Sequence, residues 1–485
     1  MKKKSEHLIK INLPGGVISA GDMYEILLIA ERAEARHIRL GNRQQLYFTI
    51  GAEYLEDLEN DMLSAEIAFE LDADNYPNIL SSYVTDTVFN YENWVKEGVY
   101  KDIFDGFNHK PTLKINVVDS NQTFAPFFTG NLNFISSDIS NYWYLYIRFP
   151  KTNILYCWPT LVYSDDVASI SKCIEEVIFA NKNMFYDQAK VNSAFLHKLV
   201  TSKGNFVMQP IIQPLKIPDF QLPYYEGFNR YGNKQWLGIY RRDELFAIDF
   251  LKDICALCMQ TRVGQLYTTP WKSLLIKGIE QKDRDSWGVI LNKYRINVRH
   301  AANELNWQIE DACDYCLDLK KQLVRDFEDA DLRTYRLSFA IKKQPKTGLC
   351  GSIVLKKLEG EFFEIQHTKD FNPNSKDTIV YRPNVAKSDL SKHLIELCNW
   401  FYSLKSNASV NTGITEETVE ETVVATHQVH QCKNCLSVYD EAYGDQINGI
   451  APGTPFENLA EYCCPTCDSP KEDFVVVNLA KAIPI

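Results

Sequence analysis

The chain has 485 residues, of which 45% are hydrophobic and 24% charged, values that are ordinary for a globular protein of about three domains. Its formal net charge of -11 argues against the basic face that nucleic-acid binding needs, and no apolar run approaches the ~18 residues of a membrane-spanning helix. We therefore expect no nucleic-acid partner and no membrane span, and the odd number of cysteines, 13, favours a reducing cytoplasm over a disulfide framework.

The first 400 residues contain a loose internal repeat. Residues 38–48, which read IRLGNRQQLYF, recur as residues 265–275, which read QLYTTPWKSLL. Each copy follows an apolar segment with helical spacing, residues 23–35 in the first case and residues 245–259 in the second. The repeat is far too long for a solenoid and indicates a duplication.

A second pair of strand-like segments supports the same interpretation. Residues 112–117 are echoed by residues 335–340. Alternating strands and amphipathic helices in two copies predict an α+β architecture. We assign the first half to residues 1–200 and the second half to residues 222–404.

The repeated motifs resemble the ferredoxin-like half-domains of sirohaem-dependent nitrite and sulfite reductases. The resemblance rests on Ile11–Ser19 and Arg39–Gln44 in the first half and on the turn Thr269–Trp271 in the second. It implies duplicated reductase-like halves, a sirohaem joined by a cysteine to a [4Fe–4S] cluster, and reduction of a small oxyanion. It also implies that Arg43 and Lys114 bind the anion or the sirohaem carboxylates.

The cysteines that this resemblance requires are incomplete. The family's cluster ligands follow the pattern Cys-x5-Cys and then Cys-x3-Cys, whereas this chain offers Cys313, Cys316 and Cys350. The expected partners fall near Glu310 and Lys346, which cannot serve as thiolates. A [4Fe–4S] cluster normally has four cysteine ligands, so we predict a degenerate cluster site, with buried free thiols as the alternative role of these cysteines.

Residues 405–428 separate this region from the C-terminus. The segment is polar and acidic and contains no Phe, Tyr or Trp. Such a composition cannot bury enough apolar surface to fold alone, so it predicts a flexible linker.

The C-terminal residues carry two Cys-x2-Cys pairs, Cys432 with Cys435 and Cys464 with Cys467, separated by 28 residues. Four thiolates complete a tetrahedral metal shell and leave no position open for a substrate. The spacing alone fits either iron or zinc.

The segment between the two pairs distinguishes the family. Residues 449–459 read GIAPGTPFENL, and residues 429–477 as a whole resemble the rubredoxin family. This resemblance implies a small three-stranded fold around one iron atom, and we predict such a domain over residues 429–485.

The chain departs from the usual rubredoxin pattern at several positions. Leu436 and Asp468 stand where glycine is usual, and Tyr462 stands where tryptophan is usual. Cys463 is a fifth thiol, which we interpret as a bystander beside Cys464. Because hydrogen bonds to sulfur and solvent access tune such centres, these changes concern the redox potential more than the site itself.

Taken together, the motifs predict an electron-transfer protein with a mononuclear Fe(Cys)4 centre, redox donor and acceptor proteins as partners, and a degenerate reductase scaffold serving nitrite- or sulfite-type assimilation. One alternative is a sirohaem-containing nitrite or sulfite reductase, an oxidoreductase fed by its own rubredoxin. The other is a zinc-stabilised scaffold without redox function. We assign no catalytic residue, and the sequence has no nucleotide, flavin or hydrolase motif.

Overall fold

The fold was analysed in a computed structural model, which describes residues 5–89, 93–298, 302–344, 348–375, 377–411, 426–435, 437–445 and 448–480. The chain divides into two compact units, the first made of residues 1–228 and 234–396 and the second of residues 229–233 and 397–485. Within the described residues, no helix has the length and apolar character needed to cross a membrane. Residues 412–425 of the predicted linker lie outside the described ranges.

The first unit begins with a small sheet and two helices. Its elements are β1 (Glu6–Ile11), β2 (Val17–Ser19), α1 (Ala20–Arg32), β3 (His37–Leu40), β4 (Leu46–Gly51), α2 (Leu55–Ser64) and β5 (Glu70–Leu71). Helix α1 begins where the hydroxyl of Ser19 accepts a hydrogen bond from the N–H of Asp22 at 3.0 Å. Its buried residues Met23, Ile26 and Ala30 recur at helical spacing and enter the core.

A larger sheet with flanking helices follows. Its elements are β6 (Leu80–Ser81), α3 (Glu97–Asp105), β7 (Ile115–Val118), β8 (Leu132–Ser136), β9 (Tyr142–Arg148), β10 (Leu155–Cys157), β11 (Thr160–Tyr163), α4 (Val167–Ala180), α5 (Lys182–Phe185), α6 (Ser193–Lys203) and β12 (Met208–Pro210). The strand order is β12-β11-β9-β8-β7-β6, with β10 paired to β9.

The second half repeats this succession. Its elements are β13 (Gly227–Tyr231), β14 (Lys234–Ile239), β15 (Phe246–Ala247), α7 (Ile248–Gln260), β16 (Gln265–Thr268), β17 (Leu274–Glu280), α8 (Arg284–Lys293), β18 (Trp307–Ile309), α9 (Asp314–Asp329), β19 (Phe339–Lys342), β20 (Ile353–Lys357), β21 (Phe362–Thr368), β22 (Thr378–Ala386) and α10 (Leu390–Asn411). The predicted apolar helices are therefore present, each within three residues of its expected start.

The strand directions show the duplication directly. Strands β6, β7 and β8 run parallel and β9 is antiparallel to β8. Strands β18, β19 and β20 run parallel in the same way, and β21 is antiparallel to β20. The α+β prediction and the duplication are confirmed.

The two halves also exchange a strand. Strand β15 of the second half pairs with β3 of the first, with Phe246 opposite Ile38. Strand β2 of the first half pairs with β16 of the second, with Ile18 opposite Leu266. Helices α1 and α7 follow the exchanged strands and pack against each other in one shared core. Through this exchange both halves contribute residues to one hydrophobic core.

The second unit contains a three-stranded antiparallel sheet in the order β24-β23-β25. Its strands are β23 (Thr426–Cys432), β24 (Val438–Tyr439) and β25 (Phe474–Ala480). The register places Cys432, at the end of β23, opposite Phe474 at the start of β25. The sheet thereby places the first cysteine pair next to Phe474, which packs against the aromatic core of this unit.

Candidate metal centre and anion-binding cleft

The four predicted ligand cysteines lie together in the second unit. The Sγ atoms of Cys432, Cys435, Cys464 and Cys467 all lie within 4.8 Å of one another. The sulfurs of Cys432 and Cys467 are 3.6 Å apart and those of Cys435 and Cys464 are 3.3 Å apart. Four sulfurs at these separations surround a common point, which is the donor set that iron or zinc takes in a tetrahedral site. The residues present therefore fit one metal ion.

Two similar turns present the cysteines. In the first, the N–H of Cys432 donates to the carbonyl of Ser437 at 2.8 Å; in the second, the N–H of Cys464 donates to the carbonyl of Ser469, also at 2.8 Å. Asp468 adopts the left-handed backbone, with φ of 58°, at the position where glycine is usual. Aspartate tolerates this conformation better than most residues. The other unusual position, Leu436, lies outside the described residues.

The protein environment favours the thiolate on the exposed side of the site. Burial opposes ionisation of Cys435, but hydrogen bonds from the hydroxyl and the N–H of Ser437 hold its pKa below the ordinary value. Burial raises the pKa of Cys464 to about 12, although the N–H groups of Thr466 and Cys467 act in the opposite direction. A metal cation would supply the positive charge that a buried thiolate at Cys464 requires.

The second unit has a small aromatic core. Tyr439, Phe456 and Tyr462 form one buried cluster with ring centroids 5.3–5.6 Å apart. The hydroxyl of Tyr462 donates to the buried carboxylate of Asp445 at 2.9 Å. The tyrosine thus fills the position of the family's tryptophan and still satisfies its polar atom. Cys463 is exposed and does not belong to the group of four sulfurs.

A second site lies in the first unit, where three adjoining cavities of about 450, 270 and 220 Å³ share Gly348 in their walls. Their lining carries six basic side chains; we call four of them, Arg43, Lys114, Arg148 and Lys342, the basic cluster, and the other two are Lys151 and Lys356. The cluster gathers positive charge within a chain whose net charge is -11. The basic cluster attracts small anions, whereas Asp74, Glu310 and Asp311 bring carboxylates to the wall of the first cavity.

Arg43 is held rigidly by neutral acceptors. It is 8% exposed, and its Nε and Nη2 donate to the carbonyls of Asn78 and Ile115 at 3.0 and 2.6 Å. Its Nη1 donates to the side chain of Asn116 at 3.1 Å. Burial lowers the pKa of Arg43 to about 10. None of these three acceptors is a carboxylate, so none of them neutralises the guanidinium. Arg43 therefore brings a fixed positive charge to the cleft.

Two other members of the basic cluster, Lys114 and Lys342, also have lowered pKa values. Burial, followed by the charges of Arg43 and Arg148, lowers the pKa of Lys114. Burial also lowers the pKa of Lys342 to about 8, and the charge of Arg148 adds to the effect. Neighbouring cations that depress one another's pKa values are stabilised when an anion binds between them.

The Asn42–Gln44 motif connects the two halves beside this cleft. The side chain of Asn42 donates to Asp311 at 2.8 Å, and that of Gln44 donates to the carbonyl of Thr268 at 2.9 Å. Gln44 adopts the left-handed backbone, with φ of 68°. The motif thus has a structural role in addition to the binding role that the resemblance implies for Arg43.

The position of the implied [4Fe–4S] cluster does not offer four thiolates. Glu310 uses its carboxylate to accept hydrogen bonds from the N–H groups of Lys343 and Gln344 at 2.9 and 2.7 Å. Cys350 points to the side chain of Gln308 at 3.5 Å. Lys346 lies outside the described residues, and a lysine supplies no thiolate in any case. The residues present therefore do not fit the cluster.

A buried charge network stands beside this position. The ammonium of Lys272 lies 2.9 Å from the carboxylate of Glu244, 3.4 Å from Asp311 and 3.3 Å from the carbonyl of Glu310. The side chains of Lys272 and Glu244 are 4% and 5% exposed. These contacts of Lys272 tie the loop after β18 to Glu244.

Sequence reasoning identified two of the four basic residues. Arg43 and Lys114 came from family motifs, whereas Arg148 and Lys342 end strands β9 and β19 and belong to no motif. Each follows a run of apolar residues. In sequence alone, such a basic residue looks like a solvent-exposed strand end. Only the sheet topology indicates that they meet.

Comparison with known proteins agrees with the geometry of the second unit. Residues 429–474 match the family model of rubredoxin. Rubredoxin-1 of Pseudomonas putida is 50% identical over 46 residues, which are 9% of this chain and 26% of that protein. The probable rubredoxin HupI of Bradyrhizobium diazoefficiens is 39% identical over 72 residues, which are 15% of this chain and 96% of that protein. The chain spans about a quarter of the former relative, and a rubredoxin domain implies iron at a site of four cysteines.

The first unit is similar to proteins of another kind. Residues 1–65 match the ferredoxin-like half domain of nitrite/sulfite reductases. The structure of the NirA protein of Mycobacterium tuberculosis aligns with a TM-score of 0.61 and 15% identity, over 80% of this chain and 79% of that one. At this identity the likeness concerns the fold alone. These matches confirm the predicted fold class of reductase-like halves followed by a small rubredoxin domain.

Proposed function

Because the chain belongs to the rubredoxin family through its C-terminal domain, we propose that it is an electron-transfer protein of the reducing cytoplasm. The observation that carries the proposal is the meeting of four cysteine sulfurs within 4.8 Å of one another. An iron ion held by four thiolates supplies reversible one-electron transfer. Cys432, Cys435, Cys464 and Cys467 would be its ligands.

The surrounding residues support this role. Hydroxyl and N–H donors around Cys435 stabilise negative charge on sulfur, which tunes the potential of such a centre. Cys432 and Cys464 are fully buried, so water does not reach these two sulfurs. The outer side remains accessible through the partly exposed Cys435 and Cys467, where a redox donor or acceptor protein could approach.

We further propose that the first unit is a degenerate reductase scaffold that serves nitrite- or sulfite-type assimilation. Its fold resembles NirA, and its basic cluster suits a small oxyanion. At the position of the [4Fe–4S] cluster, Glu310 stands where a thiolate is needed. For this reason we prefer an electron carrier to a complete reductase.

Visible spectroscopy with metal analysis tests the electron-transfer role. Full-length protein purified anaerobically should contain about one iron per chain and lose its visible absorbance on reduction with dithionite. Cys464→Ser should abolish the colour, whereas Cys463→Ser is a matched control beside it and should retain the colour. One zinc per chain and no colour would instead support the zinc-stabilised scaffold, and equal loss of colour in both variants would refute the ligand assignment.

The alternative of a sirohaem-containing nitrite or sulfite reductase rests on the basic cluster. Arg43 and Lys114 would then hold the anion or the sirohaem carboxylates, assisted by Arg148 and Lys342. Protein purified from cells able to make sirohaem would show haem absorbance and nitrite- or sulfite-dependent oxidation of a reduced dye. Their absence, with the iron site intact, would favour the carrier.

A further inference from the structure

Two cysteines meet at the beginning of helix α9. Cys313 is the residue immediately before the helix, with extended backbone, and Cys316 lies in its first turn. The thiol of Cys313 donates to the sulfur of Cys316 at 3.1 Å. Cys316 is buried and Cys313 is partly exposed. A disulfide needs a sulfur separation of about 2 Å. Side-chain rotation that shortens the distance between the two sulfurs by about 1 Å would therefore bring them to bonding distance.

The flanks of the pair are fixed. Asp314 forms an ion pair with Arg39 at 3.0 Å, and the hydroxyl of Tyr315 donates to Glu361 at 2.8 Å. The first helical hydrogen bond runs from the N–H of Leu317 to the carbonyl of Cys313 at 3.0 Å. These contacts hold the helix start in place while the cysteine side chains change partners.

Of the two thiols, Cys313 is the one that a reagent can reach. A Cys-x2-Cys pair at a helix N-terminus with its sulfurs 3.1 Å apart is typical of redox-active dithiols, although burial raises the pKa of Cys316 well above its ordinary value. Among the described residues, no third cysteine, histidine or carboxylate joins the pair at metal-ligand distance. The pair is therefore a dithiol rather than part of a metal site.

The chain contains a contrasting pair of the same spacing. Cys255 and Cys258 lie within helix α7, away from its N-terminus, and each is 0% exposed. Burial raises the pKa of Cys255 to about 12 and that of Cys258 further. An oxidant cannot reach these thiols without unfolding the core, so they provide an internal control.

We propose that Cys313 and Cys316 form a reversible dithiol–disulfide couple that exchanges with low-molecular-weight disulfides. The Cys313 thiolate attacks one sulfur of the reagent, forming a mixed disulfide, and the departing thiolate takes a proton from solvent. The Cys316 sulfur then attacks the Cys313 sulfur while its proton passes to the departing reagent sulfur, which leaves as the second reagent thiol. The protein loses two S–H bonds and gains one S–S bond, while the reagent disulfide is reduced to two thiols.

The couple is independent of the proposed electron-transfer centre and adds a redox-responsive site near the anion cleft. Glu310 and Asp311, which line the cleft, precede Cys313 by only three and two residues. Closing the disulfide would restrict the start of α9 next to that wall.

Peptide mapping of the full-length, metal-loaded protein tests the inference. The protein is equilibrated with mixtures of reduced and oxidised glutathione, quenched with acid, denatured, alkylated and digested. We expect the peptide with Cys313 and Cys316 to lose both alkyl groups as the oxidised fraction rises, and to regain them on reduction. Its oxidised fraction should exceed that of the Cys255–Cys258 peptide at every ratio of oxidised to reduced glutathione.

A variant separates reactivity from simple exposure. In Cys316→Ser, Cys313 lacks its resolving thiol and should accumulate a glutathione adduct, whereas in Cys313→Ser the buried Cys316 should remain unmodified. The inference is overturned if the 313–316 peptide stays fully alkylated at every glutathione ratio. It is equally overturned if both cysteine pairs oxidise to the same extent.

Discussion

Anion binding in the cleft should weaken above pH 8 because Lys342 loses its charge there. Burial lowers the pKa of this ammonium from 10.5 to about 8 in the anion-free protein. A bound anion stabilises the protonated form of Lys342 and so raises its pKa. Above pH 8, anion binding is therefore accompanied by uptake of a proton; below pH 8 the lysine is already protonated and does not affect the pH dependence. Affinity should therefore fall as pH rises, by about tenfold between pH 7 and pH 9.

Isothermal titration with nitrite measures this effect, because nitrite remains a monoanion across the range. Lys342→Met should bind about tenfold more weakly than the native chain at pH 7 and should show no step near pH 8. Lys342→Arg keeps a charge at every pH tested and should preserve the affinity while removing the step. Lys356 also lines the cleft but forms an ion pair with Glu364 at 2.8 Å, so Lys356→Met is a matched control that should leave the step in place.

The reasoning is refuted if native affinity is the same at pH 7 and pH 9. It is also refuted if Lys342→Met retains the step, since the titrating group would then be another member of the basic cluster. Lys114 also has a lowered pKa, and Arg43 titrates only near pH 10, so further weakening is expected at more alkaline pH.

Three further predictions concern stability. Lys272→Met should lower the free energy of unfolding of the first unit by about 3–5 kcal/mol, because it leaves the buried Glu244 carboxylate unpaired. Urea titration followed by near-ultraviolet circular dichroism measures this loss, and adding Glu244→Gln should recover most of it; no recovery would contradict the ion-pair argument. Tyr462→Phe removes the hydrogen bond to Asp445 and should cost the metal-loaded second unit about 1–2 kcal/mol, measured as earlier loss of visible absorbance in urea. Arg43→Lys keeps the charge but cannot satisfy all three of its acceptors, and should cost the first unit about 1–3 kcal/mol in the same urea titration, whereas an unchanged midpoint would refute its structural role.

The metal centre was accessible to sequence reasoning because its geometry is local. Each Cys-x2-Cys turn places two sulfurs by itself, and only the pairing of β23 with β25 is needed to join the turns. The deficit at the cluster position was likewise visible, because an acidic side chain at Glu310 cannot replace a thiolate. In the structure, the Glu310 carboxylate instead accepts hydrogen bonds from the N–H groups of Lys343 and Gln344, so this residue has a structural role at the position of the missing thiolate.

The anion cleft was only partly accessible, because its residues meet through tertiary structure. Arg148 and Lys342 come from equivalent halves of the duplication, and neither has a local pattern that distinguishes it from a solvated strand end. The strand exchange between the halves was not predicted either. Strands β2 and β15 have three and two residues, too few to show a hydrophobic period.

We propose that this chain carries a single four-cysteine iron centre and no iron–sulfur cluster. It is tested most directly by counting iron and acid-labile sulfide in full-length protein purified anaerobically from cells able to make sirohaem. The account predicts about one iron, no labile sulfide and no haem absorbance per chain. About six irons with four labile sulfides and haem bands would contradict it, and would make the first unit a working reductase with ligands of another kind.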